Sequence, residues 1–478
     1  MPITTGRSHR LVAAGADVGV PAARFFEAMR SPLYRPAARF PRSLRNAIIR
    51  FVGAPTHPFL DDLAARELIV DSTPVDELAA HLQSARRSAY IGFDPTADSL
   101  HVGNLLGLTL LRRVQLGGHR PIVLVGGGTG LIGDPSGKAG ERALNETDTV
   151  REWAARLKRQ VSRFVDFDRG DNAAILVDNY EWLSTLSLVP FLRDVGKHFS
   201  VPIMLAKESV KSRLATGISY TEFSYQLLQA FDFRELSRRH GCTMQMGGSD
   251  QWGNITAGIE LIRRMDGAVA HGLTHPLVAK SDGTKFGKTE AGTVWLDAEK
   301  TSPYEMYQFW LNTSDADVVR FLKLYTFLAL EAIEELRETT ERNPEKREGQ
   351  RVLAREVTRL VHGDDGLRDA EMITASLFSG DVMELSAGQL RQAFAGAPTT
   401  ALAPEDLSAP LVDVLIRVGL AESKRQAREL ISTGAVHVNG VRVSAIDAVL
   451  SPDKVLPGGF IVLRKGKKTF HIAKLEEK

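Results

Sequence analysis

Apolar residues recur along this chain in two rhythms, and the alternation between them predicts a parallel α/β unit. FLDDLAARELIV (Phe59–Val70) and VDELAAHLQS (Val75–Ser84) carry apolar positions at helical spacing, the second opened by the cap-like run Ser72-Thr73-Pro74. A short strand, Tyr90-Ile91-Gly92-Phe93, breaks at Asp94-Pro95-Thr96 and passes through His101-Val102-Gly103-Asn104 into the helical run LLGLTLLRRVQ. PIVLVGGGTG from Pro121, AILVDN from Ala174 and TMQMGG after Cys242 read as further strands. Strand, glycine-bearing turn and helix in repetition imply βαβ units around a parallel sheet. Ligands of such sheets collect at the carboxyl ends of the strands.

The later chain changes character. Residues 281–375 hold a Gly/Lys loop followed by helices with polar connections (WLNTSDADVVRFLKLYTFLALEAIEELRE, EGQRVLAREVTRLVHG), which predicts a mostly α region. Residues 376–408 show short helical patches broken by Ala- and Pro-rich turns and read as a linker. Residues 409–478 carry two helical patterns, a strand and the turn Asn439-Gly440, a small α+β module. No internal repeat is visible. The expected division is an extension over 1–57, an α/β unit over 58–280, the α region, the linker and the C-terminal module.

Composition narrows the class. With 478 residues, 43% hydrophobic and 25% charged, the chain is long enough for several globular domains, and no apolar run is long enough to span a bilayer. The single cysteine, Cys242, excludes an internal disulfide and a cysteine-cluster metal site; it suits a reducing, cytoplasmic setting and a packed core position. Net charge is only +2 but unevenly spread. Residues 1–57 hold nine Arg, no Lys and two acids, and residues 409–478 hold twelve Lys/Arg and seven acids. Two basic ends suggest a polyanionic partner, a solvated surface being the alternative. The N-terminal stretch resembles a transit peptide, but a disordered arm or a start placed ahead of Met29 gives the same composition. It is expected to be poorly ordered and to play no part in the chemistry.

Candidate chemistry gathers at the strand ends. His101 and Gly103 open a helix, where free N–H groups and the helix dipole favour an anion and glycine permits close approach. GDPSGK lacks the GxxxxGK[ST] spacing of a P-loop, so that class is rejected. Tyr225, Gln229 and Asp232, at i, i+4 and i+7, share one helix face, lining either a polar pocket or a solvated surface. Ser249, Asp250 and Gln251 tip another strand, with Asp250 placed to accept from a sugar hydroxyl. Lys285 and Lys288 flank Phe286 and Gly287 in a loop suited to clamping phosphates, although lysine pairs are commonly plain surface.

Taken together, YIGFDPTADSLHVGN, GLIGDPSGK, GISYTEFSYQLLQAFDF, QMGGSDQWGN and KFGKT, in that order, resemble the bacterial-type tyrosyl-tRNA synthetases of class I. The resemblance runs from about Pro58 to the C-terminus and leaves 1–57 without a counterpart. It implies a Rossmann-like catalytic domain with a connective insertion, an α-helical anticodon-binding domain and an S-four-type RNA-binding domain. It also implies a two-step reaction: L-tyrosine and ATP give tyrosyl-AMP and pyrophosphate, and the tyrosyl group passes to the 3′-terminal adenosine of tRNA(Tyr). By the same resemblance, Tyr90 and Asp232 bind the phenol, Asp134, Tyr225 and Gln229 the α-ammonium, and Gln245 lines the pocket. Gly92, Asp94, Gly248, Asp250 and Gln251 hold the nucleotide side of the adenylate. Thr96, His101, Asn104, Lys285 and Lys288 meet ATP; Thr96, His101 and the two lysines are the catalytic set, with Lys138 and Arg142 on the same side.

For tRNA, Lys207, Lys211, Arg263 and Arg264 are candidate acceptor-stem contacts, and Lys424 and Arg425 belong to the C-terminal module. Family members are homodimers. Mg²⁺ is expected on ATP, since no carboxylate cluster resembles a dedicated metal site, and no editing domain is visible. Two positions depart from the commonest pattern: Asn104 replaces a second histidine while keeping a donor, and Ile91 replaces a polar ribose contact. A tryptophanyl sibling is disfavoured by Tyr90 with Asp232 and by the C-terminal module. A non-catalytic RNA-binding factor on a synthetase scaffold is disfavoured by intact His101, Asp250, Lys285 and Lys288.

Overall fold

The computed structural model describes residues 57–136, 146–211, 213–214, 217–281, 286–289, 292–466 and 469–476. The expected N-terminal extension, Lys138, Arg142 and Lys285 therefore lie outside the described residues.

Two helices, α1 (Pro58–Ala65) and α2 (Val75–Ser84), lead into the first sheet. The predicted Ser/Thr cap of α2 does not form. Pro74 is the N-cap residue, and the Thr73 hydroxyl instead meets His271 Nδ1 at 3.3 Å. The sheet comprises β1 (Ser88–Phe93), β2 (Arg120–Val125), β3 (Ile175–Asp178), β4 (Cys242–Gly248) and β5 (His271–His275). All pairings are parallel, in the order β3-β2-β1-β4-β5. Helices cover both faces, so strands such as β2 read as unbroken apolar runs and not as alternating ones. Chain order reverses between β1 and β4, and ligand sites in open parallel sheets form at such a point.

Helix α3 (Val102–Leu116) follows β1, and twelve of its fifteen residues are buried, Arg112 and Arg113 among them. That burial reflects packing on two sides, against the sheet and against the later helices. Downstream come the short insertion helices α4 (Leu188–Asp194) and α5 (Val201–Ala206), then α6 (Tyr220–His240) and α7 (Trp252–Asp266). Two short antiparallel strands, β6 (Lys288–Thr289) and β7 (Gly292–Thr293), precede the helical region, which contains α8 (Pro303–Leu311), α9 (Asp315–Tyr325) and α10 (Glu348–Ser379), the last kinked at Gly363. One continuous apolar core runs from the sheet through α3 into these helices, joining Leu105 and Leu108 to Trp310, Phe321 and Leu353. Arginines clip the two parts together. Arg113 Nη1 donates to Asp62 Oδ2 at 3.0 Å and Nη2 to Thr326 O at 2.5 Å, while Arg66 Nη2 donates to Leu328 O at 2.6 Å.

The expected linker over 376–408 is more structured than its composition implies. It contains α11 (Ala387–Ala393) and β8 (Thr399–Leu402), and β8 pairs parallel with β12 (Thr469–Leu475) at the edge of the second sheet. That sheet is completed by β9 (Val436–Val438), β10 (Val441–Val443) and β11 (Phe460–Lys465), in the order β10-β9-β11-β12-β8. Pairing seventy residues distant in sequence stabilises a strand whose local signal is weak. The Asn439-Gly440 turn closes the β9–β10 hairpin with φ of 49° and 85°, the left-handed pair that a two-residue hairpin requires.

Candidate active site

Four strand ends converge on one polar pocket. Asp94 follows β1, the Gly126–Gly128 turn and Thr129 follow β2, Asn179 follows β3, and Asp250 and Gln251 follow β4. Helix α6 lies across them and supplies Tyr225, Gln229 and Asp232. Tyr225 and Asp232 are buried, which decides for the pocket over the solvated face.

The carboxylate of Asp232 is held at both oxygens. Trp182 Nε1 donates to Oδ1 at 2.7 Å and Asn179 Nδ2 to Oδ2 at 2.9 Å. Burial nonetheless raises its pKa to about 8, opposed by those two donors and aided by Asp94 and Glu235. Tyr90, in the middle of β1, packs its ring 5.3 Å from Phe233 and places its Oη in the same buried space without a partner. Its pKa lies well above the ordinary phenol value, through burial first and then the charge of Asp232, so the hydroxyl is a neutral donor. Gln245, paired with Tyr90 across β1 and β4, also leaves its Oε1 buried and unpartnered. Buried polar atoms in this state cost about 1–3 kcal/mol each until something binds them. Tyr90 Oη and Gln245 Oε1 thus keep hydrogen-bonding capacity that a polar ligand could use.

A hydrogen-bonded chain carries this pocket toward the sheet edge. Asn179 Nδ2 also donates to Thr129 Oγ1 at 2.8 Å, Thr129 Oγ1 donates to Asp94 Oδ1 at 2.7 Å, and Tyr225 Oη donates to Asp94 Oδ2 at 2.8 Å. Asn179 Oδ1 accepts from Gly128 N at 2.7 Å and so fixes the glycine turn. On the other side, Gln251 Nε2 donates to Asp134 Oδ2 at 2.7 Å, and Asn254 Nδ2 donates to Gln229 Oε1 at 2.9 Å. Asp94, Asp134 and Asp250 give this end of the pocket a negative field suited to an ammonium group and to sugar hydroxyls. Burial, then the nearby Asp134, pushes the Asp250 carboxyl upward.

Sequence reasoning missed Asn179, Trp182 and Thr129. Asn179 carried a usable signal, since it stands at a strand end as Asp94 and Asp250 do; Trp182 carried none, because only the fold brings it to α6.

The outer side of the site is built on the start of α3. His101 is its N-cap, with Nδ1 accepting from Gly103 N at 3.0 Å, and Asn104 Oδ1 accepts from His101 N at 3.1 Å. An acceptor at Nδ1 leaves the proton of a neutral ring on Nε2, which becomes the donor. A Cβ at Gly103 would lie 2.7 Å from His101 Cε1, so a side chain there would displace the ring. Asn104 was expected as an ATP contact. Its oxygen is instead spent on the cap, and only Nδ2 remains to offer a ligand. Thr96 and Gly92 are exposed at the mouth, and Gly248 and Asp250 border it from β4. Lys288 begins a two-residue strand paired with Thr293, and Lys285 lies outside the described residues.

The basic residues read as RNA contacts divide. Lys207 is half-buried: its ammonium donates to Gly253 O at the start of α7, and burial lowers its pKa to about 8. It braces the loop holding Asp250 and Gln251 and does not present a free cation. Arg263 and Arg264 are exposed but share Glu260, at 2.7 and 2.5 Å, so their charge is partly cancelled. Lys211 and Arg425 are exposed, while Lys424 pairs with Asp413 at 2.7 Å.

Comparison with known proteins places this geometry. The family model for tRNA synthetases class I (W and Y) matches residues 83–379, and that for the tyrosine--tRNA ligase SYY-like C-terminal domain matches residues 389–473. A tyrosine--tRNA ligase of Geobacillus kaustophilus is 55% identical over 414 residues, covering 86% of this chain and 98% of the relative. One from Desulfitobacterium hafniense is 54% identical over 419 residues, covering 87% and 99%. Among solved structures, a C-terminally truncated mitochondrial tyrosyl-tRNA synthetase of Aspergillus nidulans aligns with a TM-score of 0.61 at 30% identity, covering 70% of this chain and 98% of the other.

Proposed function

Because this chain belongs to the class I tRNA synthetases (W and Y), we infer from its site that it is a tyrosine--tRNA ligase. It activates tyrosine with ATP and transfers the tyrosyl group to tRNA(Tyr). The observation in the site that carries the amino-acid assignment is the unpartnered buried hydroxyl of Tyr90 beside Asp232. A phenol hydroxyl accepts from Tyr90 Oη and donates to a remaining lone pair of the Asp232 carboxylate. Phenylalanine leaves the Tyr90 hydroxyl unpaired, at about 1–3 kcal/mol, and forfeits the added donor to Asp232.

At the opposite end, Asp134, Tyr225 and Gln229 take the α-ammonium group, and Asp94, Gly248 and Asp250 take the adenylate and its ribose. In the first step the substrate carboxylate attacks the α-phosphorus and pyrophosphate leaves. The nucleophile is already ionised, so alignment and donors matter more than a general base. His101 Nε2–H, Thr96, Lys285 and Lys288 supply those donors; the first N–H groups of α3, expected from the sequence to receive an anion, are already spent on Val294 O, His101 Nδ1 and His101 O. Mg²⁺ arrives on ATP as part of the substrate. The tyrosyl group then passes to the 3′-terminal adenosine. Exposed basic residues, Lys211 and Arg425 among them, meet RNA phosphates, an interaction that weakens steeply with salt.

The enzyme works in the cytoplasm as a homodimer. The exposed apolar side chains Leu188, Val189, Val201 and Ile203 on α4 and α5 support a partner copy there. Tyrosine-dependent ATP–pyrophosphate exchange, measured beside tryptophan and phenylalanine, tests the reading. Exchange with tyrosine alone is expected, and its absence, or equal exchange with tryptophan, overturns it.

A further inference from the structure

Between the two lysines of KFGKT stand Phe286 and Gly287, and both are docked against other parts of the protein. The Phe286 ring lies 5.1 Å from that of Phe321, 5.6 Å from Trp310 and 5.8 Å from Phe309, and it stacks on Tyr325 at 5.5 Å and 15°. Trp310 and Tyr325 are fully buried, so Phe286 is seated in the core of the helical region. Gly287 faces the other way. With φ at 80°, a Cβ there would lie 2.7 Å from Val102 Cγ2, at the N-terminus of α3. Its carbonyl accepts from Val294 N at 3.0 Å, and Val294 O in turn accepts from Val102 N at 3.0 Å.

Two consecutive residues therefore fasten the lysine signature to two bodies: the helical region through Phe286, and the helix capped by His101 through Gly287. A lysine on a free loop must lose backbone entropy to reach the phosphates, and an anchored neighbour reduces that loss. The Phe286 ring is only half-buried and borders a cavity of about 660 Å³, lined also by Ser281, Phe309, Asp317 and Phe321. It is packed on one side and open on the other, so it serves as an anchor that can be loosened without emptying the core.

We propose that Phe286 is a positioning residue for adenylate formation, its aromatic seat setting where Lys288 meets the departing pyrophosphate. The helical region thereby controls the rate of the chemical step. The inference rests on the synthetase reading above. A double-mutant cycle tests it by single-turnover tyrosyl-adenylate formation at saturating tyrosine and ATP. Phe286→Leu is expected to slow the step at least tenfold with tyrosine affinity unchanged, and Phe286→Tyr, which keeps the ring, to stay within twofold of the parent. In a Lys288→Ala background, Phe286→Leu should slow it by less than twofold further. Phe321→Leu approaches the same contact from the helical side, should behave alike, and replaces Phe286→Leu if that variant is unfolded. Additive losses in the cycle, or a matching loss of tyrosine affinity, overturn the proposal. A parent enzyme without tyrosine-dependent exchange overturns the synthetase reading itself; an active parent with an additive cycle overturns only the role of Phe286.

Discussion

Asp232 is the residue whose environment is most at odds with its chemistry. Burial favours its neutral form, while the N–H groups that Trp182 and Asn179 donate to it favour the anion, and the balance leaves its pKa at about 8. Between the ordinary carboxyl value of 3.8 and about 8, the folded protein therefore holds a proton that the unfolded chain has released. The stability contributed by this group is full at low pH and is lost as pH rises toward 8. Tyrosine binding runs in the opposite sense, because a phenol hydroxyl donates to the carboxylate and so selects the ionised form. The dissociation constant for tyrosine should rise by up to tenfold per unit as pH falls below 8, and Asp232→Asn should bind weakly with no such slope. Fluorescence titration across pH 6–9 measures both, and a flat profile for the parent protein would contradict the assignment. Asp232 was identifiable from its helical spacing with Tyr225 and Gln229, but its two donors were not, since they come from a different strand end.

At the scale of the element, the start of α3 combines two duties that the motif alone does not separate. His101 and Asn104 cap the helix together, His101 Nδ1 accepting from Gly103 N and Asn104 Oδ1 from His101 N, and only Gly103 leaves room for the folded-back imidazole. Asn104→Asp keeps the Oδ1 acceptor and adds a charge favoured at a helix N-terminus, so the melting temperature should be nearly unchanged. The same change removes the Nδ2 donor and sets a negative charge against phosphates, so adenylate formation should slow at least tenfold. Asn104→Ala should lose both, with about 1 kcal/mol of stability gone. Thermal unfolding and pyrophosphate exchange on the two variants separate the roles; equal destabilisation by Asp and Ala would show that the cap is not what Asn104 supplies. Helix positions were legible because apolar periodicity and cap residues are local signals. β8 was not, because its stability comes from pairing with β12, across some seventy residues of chain.

For the whole molecule, the outstanding feature is the exposed apolar surface of α4 and α5, with Val189 73% and Ile203 60% exposed. Scattered exposed aliphatics are ordinary, but several on two consecutive short helices suit a contact with a second copy. Val189→Asp with Ile203→Asp is expected to shift sedimentation from dimer to monomer while leaving the monomer folded by circular dichroism. A dimer unchanged by both substitutions would place the interface elsewhere.

The chain's own order of residues determined the parallel sheet, the motifs at its strand ends, the family and most of the side chains that gather at the polar pocket. These rest on periodicity, glycine turns and short-range spacing, each specified within a few residues. Tertiary structure alone decided which polar groups are already satisfied. It turned Lys207 inward to Gly253 and paired Arg263 and Arg264 with Glu260. It brought Asn179 and Trp182 to Asp232, and it seated Phe286 in the helical core. Whether a charge is free, a donor spent or a loop anchored depends on neighbours from distant elements, and that information exists only once the chain has packed.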